Sequence, residues 1–191
     1  HVWLSHADKV DLPDQMIFDL DPPAGKFELA RAAALAVREV LDALGLPAFV
    51  KTTGGKGLHV QVPLERRSSF DDVRDFARAV AELVAARGPQ QFTTEQRKPK
   101  RRGRLYLDVM RNAYGQTAVA PYAVRARKGA PVATPITWEE LDDRRLTPSE
   151  FTLKTVPERV QGEADPWRHM ARRAAVLGPA RKRLEVLQQE T

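Results

Sequence analysis

Apolar positions along this chain switch between a period of two and a period of 3.6, which predicts strands alternating with helices. Residues 16–20, Met-Ile-Phe-Asp-Leu, form a short apolar run stopped by Pro22-Pro23 and predict a buried strand. Residues 26–44 are rich in Ala and Leu at helical spacing, and Gly45 and Pro47 end that helix. Residues 48–53 and 58–63 predict two strands joined by the turn Gly54-Gly55-Lys56-Gly57. A second helix is predicted over 69–87, opened by Ser69 with Asp71 and Asp72 in its first turn and closed by Gly88-Pro89. Residues 105–109, Leu-Tyr-Leu-Asp-Val, predict another strand, and 116–122 one more. Thr137 is placed to cap a short helix through Trp138-Glu139-Glu140-Leu141, and a Pro-rich stretch leads to a basic C-terminal helix over about 168–188. With no internal repeat, the alternation predicts an α/β or α+β layered domain.

Composition narrows the chemistry. The 191 residues suit a single domain with a real core. No apolar run approaches the roughly 18 residues of a membrane span, and no signal-peptide pattern opens the chain. The first residue is His1 rather than Met, so the chain reads as an excised or trimmed piece. There is no cysteine, which excludes disulfides, thiolate metal sites and cysteine nucleophiles. A metal must therefore sit on carboxylates, histidines or carbonyls, a donor set suited to magnesium or manganese. Lys and Arg number 31 against 25 acids, a net charge of +6. Six of those positive charges, Arg97, Lys98, Lys100, Arg101, Arg102 and Arg104, fall within eight positions. Such a run reads as a nucleic-acid patch or, taken alone, as a solvated loop.

Asp19 and Asp21 lie two residues apart at a strand end, so both side chains share one face while Leu20 points into the core. Two carboxylates that close repel unless a cation shares them or one is protonated. A divalent metal site explains the pair, although a bare Asp-x-Asp also fits a polar strand end. Asp108, a third acid, falls within the apolar strand 105–109, where an aspartate is costly without a partner. Three strand-borne aspartates suit a two-metal site for phosphoryl displacement.

The stretch 51–60, Lys-Thr-Thr-Gly-Gly-Lys-Gly-Leu-His-Val, joins two strands through a turn whose glycines let backbone N–H groups approach an anion. Gly54 and Gly57 shape the turn, Thr53 adds a hydroxyl, Lys56 a point charge and His59 a ring donor. The spacing is not that of the Gly-x-x-x-x-Gly-Lys-Ser/Thr loop, and no helix follows. An ordinary hairpin turn is the other reading. Arg111 lies three residues beyond Asp108, close enough to flank the same site. Arg125 and Arg127 share a face if 119–127 is extended, and suit a triphosphate or a DNA phosphate, or else are surface arginines.

In this order the motifs resemble the polymerase family of bacterial end-joining DNA ligase D, within the archaeo-eukaryotic primase superfamily. The residues that carry the resemblance are Phe18-Asp19-Leu20-Asp21-Pro22, Thr53-Gly54-Gly55-Lys56-Gly57-Leu58-His59, Leu107-Asp108 with Arg111-Asn112, Thr117 to Tyr122, Arg125-Ala126-Arg127, Pro131 to Leu141 and Asp165-Pro166-Trp167. The resemblance implies an α+β primase-polymerase fold, with a mixed or antiparallel catalytic sheet flanked by helices, lacking an N-terminal portion of the family module that carries DNA contacts. It implies that Asp19, Asp21 and Asp108 are catalytic acids on two manganese or magnesium ions. It implies that His1, Thr53, Gly54, Lys56, Gly57 and His59 meet the incoming nucleotide, with Arg111, Arg125 and Arg127 as further substrate contacts. The family usually has Ser where this chain has Thr53. Implied partners are DNA ends, nucleoside triphosphates with a preference for ribonucleotides, the Ku protein and a ligase. The implied setting is the bacterial cytoplasm at the nucleoid, with no membrane role. Two rivals stand beside this reading. A haloacid-dehalogenase phosphatase also carries Asp-x-Asp at a strand end but expects Gly-Thr where this chain has Pro22-Pro23. A non-catalytic nucleic-acid-binding module would keep the fold and the charge.

Overall fold

The computed structural model describes residues 1–162 and 165–190. The strands, in chain order, are β1 (Val2–Trp3), β2 (Gln15–Asp21), β3 (Phe49–Thr52), β4 (Leu58–Pro63), β5 (Phe92–Thr93), β6 (Leu105–Asp108), β7 (Thr117–Ala118) and β8 (Pro135–Ile136). The α-helices are α1 (Phe27–Ala43), α2 (Phe70–Arg87), α3 (Trp138–Asp142), α4 (Val156–Gly162) and α5 (Leu177–Gln189). Six strands form one mixed sheet in the order β5-β6-β2-β4-β3-β8, in which only β5 and β6 run parallel. β1 and β7 make a separate antiparallel pair. The fold is α+β, as expected.

Alternation along β2 divides its side chains between two faces. Met16, Phe18 and Leu20 join residues of α1 and α2 in the main core, while Ile17 packs with Leu4, Phe70 and Ala118. The helices form where capping and periodicity direct them. Ser69 accepts from the Asp72 N–H, and the Asp72 carboxylate accepts from the Ser69 N–H, a reciprocal box at the start of α2. Thr137 and Glu140 make the same box for α3. Gly45, at φ 71°, ends α1 as its sequence position predicts.

Three expectations shift. The strand expected over 116–122 is only Thr117–Ala118, because Tyr122 sits in the left-handed region at φ 62° and turns the chain. The C-terminal helix starts at Leu177 rather than near 168. Its intended first turns are taken by a 3-10 turn at Met170–Arg173, and Ala175 spends its backbone on Pro63 and Glu65. Asp108 ends its strand rather than lying inside it. Its Oδ1 accepts from the Met110 N–H at 2.8 Å, the hydrogen bond of a turn.

Candidate active site

The sheet register assembles a row of polar side chains across four strands. Asp108 of β6 faces Asp19 of β2, Asp19 faces His59 of β4, and His59 faces Lys51 of β3. Directly opposed residues project from the same face of a sheet, so the four share one side, with Asp21 two positions along from Asp19. Asp19, His59 and Lys51 are buried, at 7%, 3% and 0% exposure. Arg111 reaches the row from the turn after β6, and its Nε donates to Asp19 Oδ2 at 3.2 Å. His59 Nε2 lies 3.5 Å from the other carboxylate oxygen, Oδ1.

The three carboxylates lie together at one end of the row. Burial pushes Asp21 upward from the ordinary carboxylate value, and the charge on Asp19 adds to the shift. Asp108 is raised chiefly by burial, against the lowering effect of its bond from the Met110 N–H, with Asp19 again raising it. At Asp19 burial works upward too, but the His59 contact and the Arg111 pair outweigh it and hold the carboxyl below its usual value. Burial pushes the His59 imidazole down, so it is neutral at pH 7 and faces Asp19 as a hydrogen-bonding group rather than as a cation.

Above the row lies a cleft of about 190 Å³ lined by His1, Asp19, Asp21, Thr53, Gly55, Lys56, His59, Arg111, Val119, Arg125 and Arg127. The residues expected to grip a nucleotide are thus brought together. The Gly-rich turn is shaped by contact. A Cβ on Gly57 would sit 2.1 Å from the Leu20 carbonyl oxygen, and one on Gly54, at φ 60°, would press on Arg125 and Val132. Thr53 Oγ1 donates to the Gly57 carbonyl at 3.1 Å, closing the turn, and Arg125 donates to the Thr53 carbonyl at 3.0 Å. The segment bearing Arg125 and Arg127 is not an extended strand. It reaches the cleft through the turn at Tyr122 and an isolated bridge from Val124 to Val132. His1 Nδ1 lies 3.4 Å from Thr117 Oγ1 at the rim.

Residues 1–167 match the family described as LigD, primase-polymerase domain. The chain belongs to this family. It is 40% identical over 170 residues to the multifunctional non-homologous end joining protein LigD of Pseudomonas aeruginosa, covering 87% of this chain and 20% of that protein. It is 34% identical over 157 residues to the bifunctional LigD of Bacillus subtilis, covering 81% of this chain and 26% of that protein. Among solved structures, the polymerase domain of Mycobacterium tuberculosis ligase D in complex with DNA superposes with a TM-score of 0.79 at 32% identity, over 86% of this chain and 57% of that one. The chain therefore spans about a quarter or less of the curated relatives' length.

Within this LigD-family chain, several residues that carried the resemblance are braces. Asn112, buried at 1% exposure, accepts from the Ile17 N–H and donates to the Ile17 and Val109 carbonyls, each at 2.8 Å. It thereby docks the turn bearing Arg111 onto β2. Trp167 donates its indole N–H to the Val50 carbonyl at 3.1 Å and packs edge-on against Phe49. Burial, with hydrogen bonding to Asp165, raises the Tyr122 phenol. Lys51 was not singled out from the sequence, although its strand position opposite His59 follows once the hairpin pairs Thr52 with Leu58.

The basic run borders a second cleft of about 570 Å³ with Asp21, Lys56, Asp108 and Arg111. Its six charges are not equivalent. Arg101 donates to the Glu95 and Gln96 carbonyls and covers the Tyr106 ring at 4.3 Å, while Arg104 donates to the Arg101, Lys100 and Pro89 carbonyls. Arg97, Lys98, Lys100 and Arg102 are exposed. Among the described residues no three His, Asp or Glu side chains converge as a ready-made cation cage. Asp19, at the centre of the three candidate carboxylates, has both oxygens occupied by Arg111 and His59. No described helix is long and apolar enough to cross a membrane.

Proposed function

We propose that this chain is the catalytic core of a nucleotidyltransferase that adds nucleotides, with ribonucleotides preferred, to a primer 3′-hydroxyl at DNA ends or gaps in non-homologous end joining. The observation that carries this reading is the row Asp108–Asp19–His59 beneath a cleft ringed by Lys56, Arg111, Arg125 and Arg127. A carboxylate cluster beside converging cations fits a triphosphate's reacting end better than it fits a carbohydrate or peptide. The TM-score of 0.79 to a ligase D polymerase domain in complex with DNA supports DNA as the second substrate. Ku and a ligase are the partners this role implies.

The oxygen donors and the raised Asp21 and Asp108 suit a hard divalent cation, magnesium or manganese, held by Asp19, Asp21 and Asp108. Two such ions bound there would supply Lewis-acid stabilisation of the attacking and leaving oxygens in a phosphoryl displacement. The protein's own residues do the rest. Lys56, Arg125 and Arg127 bind the triphosphate, and Thr53 and the Gly-rich turn fix its approach. Arg111 and His59 hold Asp19 in the free protein and line the cleft, where their donors are placed to meet phosphate oxygens. Little covalent chemistry is asked of the protein, as is usual for phosphoryl transfer. The exposed charges of the 97–104 loop attract the DNA backbone along the second cleft.

The engaged state of Asp19 favours one other reading, a nucleic-acid-binding module without catalysis. Primer extension on a gapped duplex separates the two. The protein in its full natural length is given each of the four nucleotides, ribo or deoxy, with manganese or magnesium. Template-directed addition supports the enzyme. DNA binding without addition under either metal establishes the binding module.

A further inference from the structure

Two buried groups of the row face each other across the hairpin, and one of them lacks a partner. His59 Nδ1 is buried and has no hydrogen-bond partner among the described residues. Lys51, directly across the hairpin, is fully buried, and its ammonium donates to the Val119 carbonyl at 2.9 Å. An amine has more than one proton to give, and an unpartnered buried ring nitrogen is costly. Opposed residues of an antiparallel pair have Cβ atoms about 4.5–5.5 Å apart, within reach of a lysine side chain.

We propose that Lys51 is a positioning residue that donates to His59 Nδ1 and so fixes the imidazole as its Nε2–H tautomer, with that proton aimed at Asp19 and the cleft. Which nitrogen of a histidine carries the proton is set by the bond the other one makes. With Nδ1 held as an acceptor, Nε2 is a permanent donor. Resting on the nucleotidyltransferase reading, that donor is the one His59 presents to a phosphate oxygen. With Nδ1 free, the ring can protonate there instead and turn a lone pair toward the phosphate, which repels it. The bond to Val119 gives the same side chain a second task, because Val119 lines the cleft at the start of the segment that brings in Arg125 and Arg127. Burial pushes the Lys51 amine down to about 7, and in either protonation state it retains N–H groups to donate.

The test is long-range ¹H–¹⁵N correlation of the imidazole rings in the ¹⁵N-labelled protein without nucleotide or metal. The chain has four histidines, and a His59→Gln difference spectrum assigns the one that matters. The expected wild-type pattern is a protonated Nε2 and an Nδ1 shifted as a hydrogen-bond acceptor. Lys51→Met should move Nδ1 to the position of a free lone pair or mix the tautomers. Lys51→Gln, which keeps a neutral donor, should restore part of the wild-type pattern. Nucleotide kcat/KM should fall about tenfold in Lys51→Met. A wild-type ring protonated on Nδ1, or an Nδ1 signal unmoved in a folded Lys51→Met protein, overturns the proposal. If Lys51→Met does not fold, the wild-type and Lys51→Gln spectra decide it. Because these spectra are read without substrate, an inactive wild type would sink the catalytic reading and leave this one standing on its own measurement.

Discussion

The polar row across β6, β2, β4 and β3 and the basic loop at 97–104 adjoin one acidic centre, yet they hold charge in opposite ways. In the row, Lys51, His59 and Asp19 are buried at 7% exposure or less, and each is fixed by strand register. In the loop, Arg97, Lys98, Lys100 and Arg102 are exposed on a short 3-10 turn. Interactions among buried groups are strong and weakly screened, so a small displacement there changes the chemistry. Exposed charges interact weakly one by one, are screened by salt, and tolerate movement of what they bind. On the proposed function, the row acts on one reacting centre, and the loop attracts a long polyanion without selecting a point on it.

The sharpest break in this contrast is at the carboxylates. Asp19→Asn and Asp108→Asn should each lower nucleotide addition by on the order of a thousandfold or more, equivalent to about 4 kcal/mol of transition-state stabilisation. Single-turnover primer extension measures it. Near-wild-type rates in both variants would remove the row from the chemistry. Melting in chelator checks that the fold survives, and the sign for Asp108 runs against intuition. Its folded-state pKa is raised, so the stability it contributes is present below about pH 4 and lost as pH rises through the folded value. The metal-free Asp108→Asn protein should therefore melt higher than wild type at pH 7, with the gain shrinking as pH falls toward 4.

Next in size is the brace behind Arg111. Asn112→Ala strips the side-chain partner from the buried Ile17 N–H and Ile17 carbonyl, and leaves the Val109 carbonyl with the Asn112 backbone N–H. Each unsatisfied group costs about 1–3 kcal/mol, so a loss of about 3 kcal/mol in unfolding free energy is expected, read by urea titration. Activity should fall further than stability predicts, because the turn that aims Arg111 at Asp19 loses its anchor. A variant that is destabilised but fully active would show that Arg111 needs no such aiming.

Lys56 tests the boundary between the two regions, because it is exposed and lines both clefts. Lys56→Ala should raise the apparent KM for nucleotide roughly ten- to a hundredfold, the value of one charge-assisted hydrogen bond. DNA affinity without nucleotide should hardly change. The reverse outcome would assign the Gly-rich turn to DNA.

How far the sequence displayed this arrangement follows from which interactions are local. Asp19 and Asp21 on one face, the hairpin at Gly54–Gly57 and both capping boxes are set by residues within a few positions of each other, and the chain pattern reveals them. The row is set by the pairing of β2 with β4 and β6, partners about 40 and 90 residues away, and no local pattern states which residue opposes which. The Arg111–Asp19 pair is invisible for the same reason. Lys51 was half legible. Its place opposite His59 follows from the hairpin, but its complete burial depends on Val119 and the chain beyond it, drawn over the sheet by the turn at Tyr122. The basic run misled in a different way, since composition counts six equal charges and cannot show that Arg101 and Arg104 are consumed by backbone carbonyls.

That inequality gives the smallest and most discriminating effect. Each phosphate neutralised on duplex DNA contributes a slope of about −0.9 in log affinity against log salt. Lys98→Gln and Arg102→Gln remove exposed charges whose side chains make no hydrogen bond or ion pair among the described residues, so each should weaken DNA binding a few-fold at all sequences alike and flatten the slope by up to about 0.9. Arg101→Gln removes the same formal charge but also the bonds to the Glu95 and Gln96 carbonyls and the cover over Tyr106. It should lower melting temperature as well as affinity, and its effect on the slope should be the smaller part of its phenotype. Fluorescence anisotropy with labelled duplex from 50 to about 300 mM salt, beside thermal melting, reads both quantities. If the three variants flatten the slope equally and none lowers the melting temperature, the loop holds six equivalent charges and its bracing is energetically idle. If none flattens it, the DNA path runs elsewhere on the protein and the second cleft is not part of it.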